Sequence, residues 1–125
     1  MKQIISKAAP AAIGPYCHAT IHENLMFCSG QIPLDPDTME IAGQTIEEQT
    51  ARVMKNLEAV LSDQGIGLDK ILKTTIFLSD MENFVAMNGV YESALNGHKP
   101  ARSTVEVSRL PKDVLVEIEC IAALS

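Results

Sequence analysis

Tryptophan is absent from this chain of 125 residues, and aromatic residues supply only 4% of it. Aliphatic side chains and six Met must therefore fill the interior. Basic residues are also short: ten Lys and Arg face sixteen Asp and Glu, for a net charge of −6 and a pI near 4.9. That balance argues against a surface that tracks nucleic-acid phosphates, and no basic stripe interleaved with aromatics is present to stack bases. No apolar run approaches the ~20 residues of a membrane helix. Met1–Lys7 lacks the apolar core of a signal peptide. A cytoplasmic protein without a membrane or nucleic-acid partner is expected.

Cysteine is scarce and odd in number, three in all, which excludes a disulfide framework of paired spacing. If Tyr16–His22 and Leu25–Ser29 pair through a Glu23-Asn24 turn, Ala19 faces Cys28 and Cys17 lies on the diagonal. A diagonal of roughly 7–8 Å is too long for an easy bridge, so packing accounts for all three thiols. His18 and His22 stand four apart in the same strand, about 13 Å, and cannot share an ion. No metal or cofactor is expected. What remains is ordinary for one globular domain with a modest core: 46% hydrophobic and 21% charged residues.

Along the chain, Lys2–Ser6 reads as a short strand that ends at Ala8-Ala9-Pro10. Ile13-Gly14-Pro15-Tyr16 is a shaped loop, in which Gly permits unusual φ and Pro stiffens the approach to Tyr16. Tyr16 is either a half-buried strand residue with its hydroxyl in water or part of a pocket wall. Gly30, after the first hairpin, marks a bulge, a strand end or a close approach to the backbone. Leu34–Met39 is a surface loop of turn residues. Thr45-Ile46-Glu47-Glu48 is a capping box. Ile46, Val53, Leu57, Val60 and Leu61 then repeat at helical period up to a stop at Gly65. Lys70–Ser79 reads as a strand whose unclean alternation suits cover on both faces. Asp80 caps a second helix to about Leu95, with Met81, Phe84, Tyr91 and Leu95 inward and Asn88 among them. A polar residue on that stripe needs a partner, whether backbone or a site. His98 reads as a loop residue.

Two strands close the chain, Pro100–Val107 and Leu115–Ala122, read as a hairpin around the Arg109–Asp113 turn. Alternation puts Arg102, Thr104 and Glu106 on one face of the first, and Glu117, Glu119 and Ile121 on one face of the second. A carboxylate on a stripe of apolar residues needs a partner. Arg102 can fill that place as an internal ion pair with Glu106, Glu117 or Glu119. Equally, its planar fork can hold a ligand carboxylate by two bonds.

Pro100-Ala101-Arg102-Ser103, Arg109-Leu110-Pro111-Lys112-Asp113 and Val116-Glu117-Ile118-Glu119 resemble the C-terminal signature of the reactive intermediate deaminase (Rid, or YjgF) family. Ala12-Ile13-Gly14-Pro15-Tyr16 and Ser29-Gly30-Gln31-Ile32-Pro33 match two further stretches in the family's order. The resemblance covers the chain nearly end to end. It implies one Rid-type domain over residues 1–125, with an α+β fold of the chorismate-mutase-like type. That fold is a mixed sheet with two helices packed on one face, assembled as a homotrimer with sites in the clefts between subunits. The element order read from the residues, β-β-β-α-β-α-β-β, agrees with it. Two helices can cover only one side of such a sheet.

By the same resemblance, Arg102 matches the position that holds the substrate carboxylate, and Glu117 the acid that activates or positions water, with Glu119 as the fallback. Tyr16, Ser29, Gly30 and Asn88 match positions lining the cleft. Thr104 stands where the family often has Cys, which leaves a backbone-carbonyl role and removes a thiol one. Met39 replaces a usual Gly, and the Asn96–Lys99 connection is shorter than the family often has. The implied reaction is hydrolysis of imino or enamino acids, such as 2-iminopropanoate and 2-iminobutanoate, to 2-oxo acids and ammonia. An electrophilic imine carbon needs no metal for this: a carboxylate anchor, a directed water and a proton acceptor suffice. Three other readings stay open: a small-molecule regulator using the same pocket, a translation-inhibiting endoribonuclease, and a holdase-like binding protein.

Overall fold

Thr45 opens the first helix as its sequence predicts. Its hydroxyl accepts from the Glu48 amide at 3.1 Å, while Glu48 Oε1 accepts from the Thr45 amide at 3.3 Å, so two otherwise unpaired donors are satisfied reciprocally. The computed structural model describes residues 1–125, and this helix, α1, runs over Ile46–Ser62. Ile46, Val53, Leu57, Val60 and Leu61 are all buried, and each contributes about 1.5–3 kcal/mol by leaving water. Gly65 closes the end at φ +73, a left-handed conformation that costs Gly nothing.

The strands are β1 (Lys2–Ile4), β2 (Ala19–His22), β3 (Leu25–Gln31), β4 (Ile71–Leu78), β5 (Ala101–Glu106) and β6 (Val116–Ala123), with a second helix, α2, over Phe84–Leu95. They form one six-stranded sheet in the order β1-β2-β3-β6-β4-β5. Only the β4–β5 pair is parallel. The fold is thus a single-domain α+β arrangement of a mixed sheet and two helices. Glu23 turns the β2–β3 hairpin at φ 54, and Ala19 does face Cys28.

The closing hairpin is not formed. β5 and β6 lie in the same sheet but β4 runs between them, parallel to β5 and antiparallel to β6. The segment from Val107 to Leu115 is long enough to step over the end of β4, helped by a tight turn at Pro111–Asp113. Register then fixes the faces. Thr74 pairs with Arg102 and Cys120, Phe77 with Glu117, and Thr75 with Glu119. Paired residues point the same way, so Arg102 lies on the face shared with buried Thr74 and Glu117 on the opposite one.

The helices cover the Thr74 face, burying Met26, Ile76, Leu78, Val116 and Ile118 completely. On the other face Leu25, Phe27 and Val105 are 38%, 42% and 42% exposed. The uneven pattern of β4 comes from a register irregularity between Ile71 and Lys73. From Thr74 onward its residues alternate, buried at 74, 76 and 78. Three further readings are corrected. β1 stops at Ile4 because Ser6 turns inward to His18. Asp80 caps a short 3-10 turn, Met81–Asn83, before α2 begins. Met81 is 38% exposed and Met87 takes the inner position with Tyr91 and Leu95, since the tighter turn shifts the helical phase.

Cys28 and Cys120 stand directly opposite one another on β3 and β6 as buried free thiols, and Cys17 is also free. The hydrogen bond with Cys28, and then burial, hold the Cys120 thiol far above its ordinary range, so it stays an inert packing group. No helix is long and apolar enough to cross a membrane.

Candidate functional site

Glu117 stands on the wall of a cavity of about 570 Å³ together with Tyr16, Ser29, Gly30, Lys112 and Glu119. Its setting is built by β3. Pairing with β6 runs regularly to Cys28, slips across Ser29 and Gly30, and resumes at Gln31. The bulge leaves Gly30 beneath the Glu117 side chain, where a Cβ would collide with Oε2 and come within 3.0 Å of the carboxyl carbon. What approaches the backbone at Gly30 is therefore this chain's own carboxylate. Burial, and secondarily the like charge of Glu119, push the Glu117 carboxyl above its usual value, which strengthens it as a proton acceptor.

The Tyr16 side of the cavity is shaped by a reversal at Gly14, φ +126, where the Tyr16 amide donates to the Gly14 carbonyl at 2.9 Å. The Tyr16 ring is 49% exposed on the cavity wall. Ser29 Oγ donates to the Cys17 carbonyl at 2.7 Å, so its hydroxyl proton is already placed and its lone pairs remain. His18, which the sequence left without a role, is buried. Its Nδ1 accepts from the Ser6 amide at 2.8 Å and its Nε2 donates to the Pro10 carbonyl at 2.7 Å. That tie holds the segment carrying Pro10 and Ala11 into the same wall. Lys112 was missed as a lining residue. It and Asp113 both sit at φ 56, a left-handed turn that Arg109 clamps through Asp113 at 2.7 and 3.2 Å. The residue types mark a turn at 109–113 but do not show that it carries Lys112 into the cavity wall.

Arg102 occupies the other face, on the edge strand β5. Its Nη1 donates to Asn88 Oδ1 at 2.7 Å, and its guanidinium carbon lies 5.4 Å from the Phe84 ring centre and 5.3 Å from that of Tyr91. The ion pair Arg109–Asp113 is the one salt bridge of the chain, so the internal-partner reading of Arg102 does not hold. The guanidinium opens instead on a cavity of about 310 Å³, shared with Asn88, Tyr91, His98 and Lys99. His98 is more than a loop residue, since its Nε2 donates to the Ile71 carbonyl at 2.7 Å and pins the short connection. Thr104 shares the Arg102 face but lines neither cavity, and its hydroxyl is buried without a partner.

The candidate residues thus fall into two half-sites on opposite faces: Tyr16, Ser29, Gly30 and Glu117 in one, Asn88 and Arg102 in the other. The first carries the Glu117 and Glu119 carboxylates with Lys112 also on its wall, and the second carries Arg102 and Lys99 with one acid, Glu92, with which Arg102 makes no ion pair. No three His, Cys, Asp or Glu side chains are arranged to hold a metal ion.

Comparison with known proteins agrees with this architecture. The family profile described as Endoribonuclease L-PSP matches residues 6–124. A RutC family protein of Pyrococcus abyssi is 49% identical, covering 95% of this chain and 94% of its own. Reactive Intermediate Deaminase A, chloroplastic, of Arabidopsis thaliana is 40% identical over 98% of this chain and 66% of its own. Among solved structures, E. coli TdcF with bound serine superposes with a TM-score of 0.95 at 39% identity over 100% of both chains. With the profile spanning nearly every residue and relatives this similar, the chain belongs to the Rid (YjgF/L-PSP) family.

Proposed function

We propose that this protein hydrolyses reactive imino and enamino acids, such as 2-iminopropanoate and 2-iminobutanoate, to 2-oxo acids and ammonia. The work is done in the cytoplasm by a homotrimer whose sites lie between subunits. The observation that carries the reading is the separation of the half-sites: Arg102 faces one cavity without an ion-pair partner, and Glu117 faces another across the sheet. Two different patches that complete each other make a heterologous contact, and such contacts form a ring when the rotation between subunits closes. Three is the number the family resemblance implies. The exposed Leu25, Phe27 and Val105 give the uncovered sheet face a reason to be buried in that ring.

Within such a cleft, Arg102 pairs with the substrate carboxylate and fixes the adjacent imine carbon. Glu117 takes a proton from water as its oxygen bonds to that carbon. The proton then passes to nitrogen, the C–N bond breaks as Glu117 takes the proton of the new hydroxyl, and ammonia leaves with the 2-oxo acid formed. Tyr16, Ser29 and Gly30 form the wall on the Glu117 side, and Asn88 steadies Arg102. Two features support this reading over RNA cleavage: the net charge of −6 and a cavity carrying both Glu117 and Glu119, which repel phosphates. Serine in the TdcF relative has the α-carboxylate and small size that an Arg102 anchor would select.

The test supplies 2-iminopropanoate from serine by a dehydratase and follows the imine and ammonia directly, with sedimentation on the same sample. Accelerated imine loss by a three-chain species is expected. No acceleration, or a 13.6 kDa species alone, would overturn the proposal.

A further inference from the structure

We infer that Phe84 and Tyr91 are positioning residues for Arg102, holding its guanidinium as a preset fork before any carboxylate arrives; this rests on the deaminase reading of Arg102. Phe84, Asn88 and Tyr91 stand at i, i+4 and i+7 of α2, which aligns them on one stripe of the helix. The Arg102 head lies along that stripe, within 5.4 Å of both ring centres and 2.7 Å from Asn88 Oδ1. Both rings are inside the range at which an aromatic face attracts a cation.

The Tyr91 ring is itself fixed. Its hydroxyl and Thr74 Oγ1 are bonded at 2.7 Å, and Thr74 is the residue on β4 that pairs in register with Arg102. A closed circuit results: backbone pairing sets Arg102 against Thr74, the Thr74 side chain sets Tyr91, and the Tyr91 ring sets the Arg102 head. Of the five N–H donors of a guanidinium, one goes to Asn88, and the other four meet no acceptor in this chain. They remain for a ligand. An unrestrained arginine on an edge strand would lose rotamer freedom on binding, and holding it beforehand removes that loss. Phe84 and Tyr91 offer the cation no hydrogen-bond acceptor of their own from the ring, so they orient it without competing for the fork.

The experiment compares Tyr91→Leu, Phe84→Leu and Tyr91→Phe with the wild type as purified oligomers. It reads kcat and KM for 2-iminopropanoate, and the Arg102 side-chain Nε–Hε NMR signal, which ring currents displace. Each Leu variant is expected to raise KM roughly tenfold, the scale of one desolvated cation–π contact, to lower kcat, and to move the Arg102 signal. Tyr91→Phe should recover most of that loss, because the ring stays and only the Thr74 bond goes. Folded Leu variants with wild-type kcat, KM and Arg102 signal would overturn the inference. If Tyr91→Leu does not fold, the half-buried Phe84 decides the matter. If the wild type releases no ammonia, the deaminase reading fails on its own. The Arg102 signal then judges the clamp: displaced in the wild type and shifted by the Leu variants upholds it, and undisplaced overturns it.

Discussion

The Glu117 carboxylate lies over Gly30 in space that a side chain there would occupy, its carboxyl carbon 3.0 Å from the position of an added Cβ. Gly30→Ala must therefore push Glu117 aside. A displacement of about 1 Å at a reacting group costs roughly a hundredfold in rate. We expect Gly30→Ala to lose activity on that scale while pyruvate, the product formed from 2-iminopropanoate, still binds through Arg102. Calorimetry beside imine-loss assays measures both. Unchanged kcat would remove Glu117 from the reaction.

Glu117→Gln separates chemistry from stability. The amide cannot accept a proton, so turnover should fall while analogue binding survives. Because the folded carboxyl is raised by burial and by Glu119, the folded state holds its proton more tightly than the unfolded one. Wild-type stability is then lost as pH rises from the usual glutamate value through the raised one. Glu117→Gln escapes this loss. Thermal melts should show the variant more stable than wild type at neutral pH, with the gap closing in acid. A gap that widens in acid would reverse the sign assigned to this group.

Arg102→Lys keeps the charge and discards the planar fork. With Asn88 and the two rings shaped around a guanidinium, an ammonium would hold a carboxylate as a point charge without fixing its orientation. A loss of roughly a hundredfold in kcat/KM is expected, with sedimentation unchanged. Near-normal turnover by the assembled variant would end the anchor assignment.

Met39 adopts φ 62, where a Cβ is strained and the family usually places Gly. Met39→Ala and Met39→Gly both remove the side chain, so their difference isolates the backbone. Left-handed geometry costs a non-Gly residue about 1–2 kcal/mol, part of which Gly returns as extra freedom in the unfolded chain. Denaturant melts should place the Gly variant above the Ala variant by about 0.5–1 kcal/mol. Equal midpoints would mean that the loop relaxes.

Local chemistry was legible in the residues, and long-range pairing was not. Thr45 and Glu48 gave the start of α1 because a capping box is a contact between near neighbours. The Glu23-Asn24 turn likewise set Ala19 opposite Cys28. Alternation assigned two faces to β5 and two to β6, but it cannot say which face of one matches which of the other. That depends on β4 entering between them, a crossover decided by packing of both helices on one side. Arg102 and Glu117 therefore read as neighbours on a hairpin and proved to lie on opposite faces. The Phe84–Asn88–Tyr91 stripe was visible as a period, yet its occupant, Arg102, comes from another element.

The composite site is tested most directly by mixing two impaired proteins. Arg102→Lys lacks one half-site and Glu117→Gln the other, so each alone should turn over 2-iminopropanoate only at a small residual rate. After dissociation and reassembly of an equal mixture, clefts pairing an intact Arg102 with an intact Glu117 from a neighbour form at random. About a quarter of all clefts then carry both native halves. Recovery of about a quarter of wild-type activity is the expected result. Activity no greater than the sum of the two parents, in a mixture shown to have exchanged subunits, would contradict a site shared between chains.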